Sequence, residues 1–278
     1  MGARGSRDVV LYSRPAKLTV IVLPLYRRHL VRKGPEQARS WEPAQQDCLV
    51  PAGQVAVVIC DMWDRHWSSG ATLRVRALAP RVDAFCARMR ESGCLVAHAP
   101  SGTMDAYEGH RARLRALRVP QVAGQAPVAA PAPARLPPLP IDDQGGGSDT
   151  DDLLAVGFKA WARQHEAIRI DENLDIITDD GLELASYLRF EGRDHVLMTG
   201  VHTNMCVLHR SFGLLALKSM GFSCVLVSDL TDAMYDPARP PYVNHDEGTR
   251  LVVEYIESFV APTTLSSQVN VLPGSSAP

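Results

Sequence analysis

Residues 55–61 read Val-Ala-Val-Val-Ile-Cys-Asp, a short unbroken apolar run that ends at a carboxylate. A run of this kind is typical of a strand that is buried on both faces of a sheet. Working outward along the chain, we predict further strands at 95–99, 195–199 and 223–227, a weaker one at 167–170, and helices at 76–91, 181–190, 205–220 and 248–259. Strands that alternate with helices imply βαβ units, so the sequence predicts an α/β fold with a mainly parallel sheet flanked by helices.

The composition is that of a globular protein without a polyanionic partner. With 278 residues, of which 46% are hydrophobic, the chain can bury a substantial core as one large domain with or without appendages. The formal net charge is -2, and the sequence has no basic stripe of the kind that binds nucleic acid. We therefore expect a small-molecule partner and no nucleic acid.

The cysteines and the apolar runs indicate a cytoplasmic protein. None of the six cysteines forms a CxxC pair or has the spacing of a zinc site, and no disulfide framework is expected. The longest early apolar run, 18–26, is interrupted by Pro24 and is too short to span a bilayer. No membrane partner is predicted.

Changes in composition divide the chain into three parts. Residues 1–54 are predicted to be an N-terminal extension, 55–261 the α/β domain, and 262–278 a polar tail that lies on the surface or is disordered. Within the domain, about 120–148 is dominated by Ala, Pro and Gly and ends with three glycines at 145–147. This stretch is predicted to be an exposed, flexible insertion.

The sharpest candidate site is the segment 200–207, Gly-Val-His-Thr-Asn-Met-Cys-Val. A strand is predicted to end at Gly200, and a helix to begin after a tight turn, with Thr203 or Asn204 as its N-cap. Cys206 then lies in the first helical turn, where unpaired N–H groups and the helix dipole favour a thiolate. The same N–H groups can stabilise an oxyanion on a substrate. This position favours a nucleophile over the alternative of a buried structural cysteine.

Asp61 is the candidate general base, because ligands of parallel sheets bind beyond the carboxyl ends of the strands. The alternative is that Asp61 only caps the following helix. Trp63, His66 and Trp67 follow it and present planar surfaces that could hold a flat ring, although such a cluster is more often packing than pocket.

The strand ending in Asp61, the segment 200–207 and the segment 227–233, Val-Ser-Asp-Leu-Thr-Asp-Ala, together resemble the isochorismatase-like cysteine hydrolases, which include the nicotinamidases. The resemblance covers about 55–259 apart from the insertion. It implies a Rossmann-like three-layer sandwich, a homo-oligomer, and an Asp–Lys–Cys triad in which Cys206 attacks a carbonyl carbon and Asp61 moves the proton. It also implies a cis peptide between Val201 and His202, and an oxyanion hole formed by the N–H groups of His202 and Cys206. Trp63, His66, Trp67 and Val201 are the predicted substrate-binding residues.

The sequence departs from the family at the lysine, since 168–173 reads Ile-Arg-Ile-Asp-Glu-Asn. If the site is active, another cation must enter it, and we rank Arg163 and Lys159 first and Arg169 second. An arginine cannot lose its charge and differs in reach from a lysine.

Nicotinamidases also carry an Asp/His metal site, for which this chain offers His98, Asp105 and His110. Their spacing matches no ligand pattern, so solvated or capping roles are favoured and no metal is predicted. Glycine loops that bind nucleotides are absent from the sequence, and no cofactor is predicted.

Two functions remain open from the sequence. The first is a hydrolase of a small, planar amide or related acyl compound, working through a covalent acyl-enzyme. The second is a catalytically silent binding or assembly module that lacks the family lysine. Reactivity of Cys206 discriminates between them.

Overall fold

The structure is a computed structural model that describes residues 19–32, 34, 38–121, 136–150 and 158–273. Its strands and helices occur in the chain order β1 (Val20–Val31), β2 (Ser40–Pro51), β3 (Val55–Cys60), α1 (Ser69–Glu91), β4 (Leu95–Ala99), α2 (Arg111–Ala116), β5 (Ile176–Ile177), α3 (Gly181–Phe190), β6 (His195–Val201), α4 (Cys206–His209), α5 (Leu214–Ser219), β7 (Ser223–Asp232), α6 (His245–Phe259), β8 (Thr263–Thr264) and β9 (Asn270–Leu272).

The strands form one sheet in the order β2-β1-β8-β7-β6-β3-β4-β5, with β9 paired to β1. Every neighbouring pair from β8 to β5 is parallel, whereas β1 runs antiparallel to its neighbours. Side chains of β3 alternate between two cores, so that Val57 shares a core with α1 and Val58 shares one with α3, α5 and α6. The predicted α/β sandwich with a mainly parallel sheet is confirmed.

The sheet continues beyond the predicted domain boundaries on both sides. Strands β1 and β2 form a long antiparallel hairpin, and Ile21 and Leu23 of β1 are buried in the core. The tail that was expected to be on the surface or disordered contributes β8, whose Thr263 and Thr264 are buried beside β7, and also β9. Residues 20–26 of the early apolar run are therefore part of a strand that the sequence analysis did not predict.

The helix predicted at 205–220 is wrong, because the chain breaks it into α4 and α5. A Cβ on Gly213 would lie 2.9 Å from the carbonyl oxygen of Val207, and one on Gly181 would lie 1.9 Å from that of Ser211. The chain at 210–213 is therefore packed closely against the start of α3. The weak strand at 167–170 is also wrong, and the short β5 forms that edge of the sheet instead.

Other predicted elements agree with the structure. The strands at 55–60 and 95–99 and helix α3 have the expected bounds. Helix α1 begins earlier than expected, at Ser69, because the Ser68 side chain accepts a hydrogen bond from the N–H of Ala71 as an N-cap. Among the described residues, no helix has both the length and the apolar character needed to cross a membrane.

Candidate active site

Asp61 and the segment after β6 meet at one edge of the sheet. Strands β3 and β6 are parallel neighbours in which Cys60 pairs with Gly200, so the two chains leave the sheet side by side. Asp61 is fully buried and has a φ of +45°, in the left-handed region that non-glycine residues rarely adopt. Strained backbone of this kind is concentrated at functional sites.

The Asp61 carboxylate is held by three groups. Its Oδ1 accepts hydrogen bonds from both the N–H and the hydroxyl of Ser101, each at 2.7 Å. Its Oδ2 accepts from Nε of Arg210 at 3.1 Å, and the Cys206 thiol also hydrogen-bonds to the carboxylate. Burial raises the pKa of Asp61, and these hydrogen bonds and the charge of Arg210 oppose the rise.

Cys206 is a neutral thiol in the resting site. Burial raises its pKa to about 12, the charge of Asp61 adds to the rise, and Arg210 opposes it. The prediction that the start of a helix would favour a thiolate is therefore wrong. Helix α4 has four residues, so its dipole is small, and desolvation decides the protonation state instead.

The cation of the site is Arg210, at the end of α4. Its guanidinium contacts both Asp61 and the Cys206 thiol. Sequence reasoning missed it, although one signal was present, because Arg210 follows Cys206 by four residues and side chains at that spacing share a helix face.

The predicted cations occupy other places. Lys159 and Arg163 are exposed, and neither is among the described groups that shift the pKa of the nucleophile or the base. Arg169 is exposed and forms an ion pair with Asp83 at 2.9 Å. The ranking of these three residues is corrected in favour of Arg210.

The backbone around the predicted oxyanion hole, at Val201, His202 and Cys206, is defined in the structure. The peptide between Val201 and His202 is cis. The backbone N–H groups of His202 and Cys206 find no acceptor within the described part of the chain. The side chain of Val201, a predicted substrate-binding residue, is fully buried and packs in the core that contains α1.

The aromatic residues after β3 form a stacked cluster. Trp63 stacks on Trp161 with ring centroids 4.2 Å apart, and His66 contacts Trp67 at 5.0 Å and the edge of His202 at 5.1 Å. Burial lowers the pKa of His66 to about 4 and that of His202 to about 3, so both rings are neutral. Sequence analysis did not assign Trp161 to this cluster.

The cavity beside the nucleophile has a volume of about 380 Å³. Its described lining comprises Leu139, Asp143, Asn204, Met205, Cys206, His209 and Arg210. Trp63, His66 and Trp67, the predicted substrate-binding aromatic residues, are not part of this described lining.

Two of the lining residues come from the segment 136–150, which we call the strap. The strap is tied to the body, because Ile141 is buried and Asp149 makes a two-point ion pair with Arg74 at 2.7 and 3.1 Å. Arg74 also donates to Asp232 at the end of β7 at 3.0 Å. The second half of the predicted insertion is therefore packed, and the expectation of a flexible, exposed stretch is wrong there. Residues 122–135 of the insertion lie outside the described residues.

The glycines of the strap allow its backbone to pack closely against the domain, and they do not make it flexible. A Cβ on Gly147 would lie 2.4 Å from the carbonyl oxygen of Met234, and one on Gly146 would lie 2.9 Å from the Trp67 ring. Both glycines also have positive φ angles, of +66° and +91°. The strap can lie this close to the body only without side chains at these positions.

The candidate metal ligands are used for other purposes. His98 is fully buried and bonds to Gln164 at 2.9 Å and to Asp175 at 3.0 Å, while Asp105 is exposed. His110 caps α2 through its side chain, a role that the sequence favoured. The described residues contain no group of three or more His, Cys, Asp or Glu side chains that could hold a metal ion.

No family model and no curated protein matches the chain. The structure is similar to several solved structures at low sequence identity. A cysteine hydrolase from Pseudomonas syringae has 15% identity and a TM-score of 0.48, with 79% of this chain and 92% of that chain covered. An isochorismatase from Pseudomonas putida has 13% identity and a TM-score of 0.45, with 80% and 92% covered. An N-carbamoylsarcosine amidase from Thermoplasma acidophilum has 14% identity and a TM-score of 0.41, with 78% and 99% covered.

Proposed function

We propose that this protein is a cysteine hydrolase of a small amide or related acyl compound. One observation carries the proposal. The fully buried Asp61 contacts both the Cys206 thiol and the Arg210 guanidinium at the wall of a cavity of about 380 Å³. A nucleophile, a base and a cation in mutual contact beside a ligand-sized cavity form the constellation that acyl transfer requires.

The first half of the reaction forms an acyl-enzyme. The sulfur of Cys206 bonds to the carbonyl carbon while its proton passes to Asp61, and the carbonyl oxygen takes up the electron pair. The N–H groups of His202 and Cys206, together with the charge of Arg210, stabilise this oxyanion. The carbonyl then re-forms, the C–N bond breaks, and Asp61 gives the proton to the departing amine.

The second half releases the acid. Water attacks the thioester carbon and gives a proton to Asp61, and the C–S bond breaks. Asp61 returns the proton to the sulfur, which restores the neutral thiol. Since the thiol pKa is about 12, ionisation of Cys206 is coupled to the attack and Asp61 must accept its proton in that step.

Arg210 takes part through its charge and its hydrogen bond to Asp61, and it transfers no proton. A guanidinium stays protonated at any ordinary pH, so it cannot act as an acid or a base here. Its position lowers the cost of a negative charge that is shared between the sulfur and the carboxylate. The silent binding module would be favoured by a site without a cation, and Arg210 weakens that alternative.

Trapping of the covalent intermediate tests the proposal. The protein is incubated with a panel of small amides and hydroxamates, quenched in acid and analysed by intact-mass and peptide mass spectrometry. We expect an acyl adduct on Cys206, and loss of both adduct and turnover in Cys206→Ala. Cys48→Ala is the matched control, because Cys48 is the other cysteine that is only half-buried. Turnover that persists in Cys206→Ala would rule out the mechanism.

Two further parts of the proposal rest on sequence alone. A homo-oligomer is suggested by the family resemblance, and a cytoplasmic location by the usage of cysteine.

A further inference from the structure

Among the described residues, the charges around the nucleophile do not balance. Asp61 and Arg210 neutralise each other across 3.1 Å, so the guanidinium is committed to the base and to the thiol. One further carboxylate, that of Asp143, lines the same cavity. The remaining titratable side chain of the lining, His209, is exposed.

Asp143 differs from the other two acids of the strap. Asp142 forms an ion pair with Arg239 at 3.3 Å, and Asp149 forms one with Arg74 at 2.7 Å. Within the described ranges, no Lys, Arg or His forms an ion pair with Asp143. The acid that faces the cavity is thus the one of the three whose charge the described protein leaves uncompensated.

The Asp143 carboxylate is nevertheless held in place. Its Oδ2 accepts a hydrogen bond from Nδ2 of Asn204 at 2.9 Å. Asn204 is itself fixed, because it donates to the Met234 carbonyl at 3.1 Å and accepts from the Met234 N–H at 2.9 Å. Asn204 lies two residues before Cys206, so the acid is tied to the loop that carries the nucleophile. A carboxylate can accept about four hydrogen bonds, and the side chain of Asp143 has room for further donors.

We infer that Asp143 selects a substrate whose acyl part carries a cationic nitrogen, such as an ammonium or guanidinium group; this inference rests on the proposed hydrolase function. The carboxylate attracts such a group by charge and by charge-assisted hydrogen bonds, and it repels an anionic substrate. Leu139 and Met205 line the same cavity and supply apolar contacts for a short methylene spacer between the cation and the scissile carbonyl. The substrate class is therefore a small amino-amide.

Three amides with the same two-methylene spacer test the inference. The probes are 3-aminopropionamide, which carries an ammonium, its neutral isostere butyramide, and the anionic succinamate. Ammonia release gives kcat/KM for each amide, and calorimetry on the Cys206→Ala variant gives binding without turnover. We expect the ammonium probe to be preferred over the neutral one by roughly 10- to 100-fold, the value of one charge-assisted hydrogen bond, and succinamate to be worst.

The variant Asp143→Asn keeps an oxygen that can accept from Asn204 but removes the charge. It should abolish the preference, so that the ratio of kcat/KM for 3-aminopropionamide to that for butyramide falls to about one. Asp142→Asn is the matched control and should keep the preference, because Asp142 pairs with Arg239. Equal losses for all three probes in Asp143→Asn would mean a structural role and overturn the inference.

Binding and turnover separate the two proposals. If Cys206→Ala binds the ammonium probe selectively through Asp143 but the native protein hydrolyses none of the three amides, selection stands and the hydrolase fails. If the native protein hydrolyses amides without preferring the ammonium probe, the hydrolase stands and selection fails. Absence of any binding preference in calorimetry overturns the inference as well.

Discussion

The nucleophile loop at 200–206 and the strap at 136–150 look very different as sequence but form one cavity. The loop combines a strand end, a tight turn and a cysteine, and its chemistry can be inferred from local rules. The strap is rich in Pro and Gly and has no periodicity, which usually indicates an exposed linker. In the structure each region supplies part of the same wall, and Asn204 of the loop donates to Asp143 of the strap.

The difference between the two regions concerns what their sequence patterns measure. Periodicity and strand ends report on local backbone structure, and the structure of the loop follows from such local features. The strap has one short 3-10 turn at Gln144–Gly146, and the rest of it follows the surface of the domain beneath it. Gly147 fits against Met234, and Asp149 is held by Arg74 from α1. A segment of low complexity can thus be as well defined as a helix when it has such a surface to follow.

The largest expected effect is in the loop half of the cavity. Asp61→Asn should lower kcat by about 10²–10⁴-fold, because an amide cannot accept the thiol proton. The fold should survive, since an asparagine oxygen can still accept from Ser101. Steady-state kinetics with a substrate identified in the amide panel, together with a thermal melt, measures both. A folded Asp61→Asn protein with native turnover would remove Asp61 from the mechanism.

The second-largest expected effect is at Arg210, where Arg210→Gln should lower kcat by about 10²-fold. Its charge opposes the rise that burial causes in the pKa of Asp61. The base works only when it is deprotonated, so removal of this charge should move the acid limb of kcat/KM to higher pH. The pH profile of kcat/KM for the native protein and for Arg210→Gln checks the direction of this shift. Arg210→Lys, which keeps the positive charge, should restore part of the activity and move the acid limb back toward its native position. An unchanged acid limb in Arg210→Gln would contradict this role.

The two catalytic side chains could be predicted from the sequence, whereas the protonation state of the thiol could not, and the only local signal for the cation was the four-residue spacing from Cys206 to Arg210. Asp61 and Cys206 each follow an apolar strand, and the ends of neighbouring parallel strands meet at one edge. The protonation state of Cys206 depends on burial, which the local helix-dipole rule leaves out. Arg210 lies at the break after α4, where the Ser211 carbonyl oxygen lies close to Gly181 at the start of α3.

The outer strands were missed for a related reason. The hairpin of β1 and β2 is antiparallel and partly exposed; the apolar run of β1 is interrupted by Pro24, and β2 is mostly polar and exposed. Its place in the sheet depends on pairing with β8 and β9, which lie more than 200 residues later in the chain. No local pattern contains that information.

Substitution of glycines in the strap tests whether its close packing against the domain supports the cavity. Gly147→Ala places a Cβ 2.4 Å from the Met234 carbonyl oxygen, so the strap must shift. We expect a destabilisation of about 1–3 kcal/mol, a Tm lower by roughly 5 °C, and kcat/KM lower by about 10-fold. Gly145→Ala is the matched control, because Gly145 also has a positive φ but its added Cβ would meet only Arg239 Nη2 at 3.7 Å. Equal effects of the two variants would mean that backbone strain alone, and not the close approach, is responsible.

The smallest expected effect is the pH dependence of the contacts that anchor the strap. His245 bonds through Nε2 to Asp232 at 3.0 Å, and Asp232 is a partner of Arg74, which holds Asp149 of the strap. Burial on its own would lower the pKa of His245, but the hydrogen bond and the charge of Asp232 outweigh it and raise that pKa.

A raised pKa in the folded protein means that protonated His245 stabilises the fold. This contribution is fully present below the unfolded value of about 6.5 and is lost as the pH rises through the folded pKa. We therefore expect Tm to fall by roughly 1–3 °C between about pH 6 and pH 8, since the pair is partly exposed to solvent. His245→Gln should remove this slope, whereas His29→Gln, at an exposed position on β1, should keep it. A slope that survives in His245→Gln would assign the effect to another group and leave the strap independent of pH in this range.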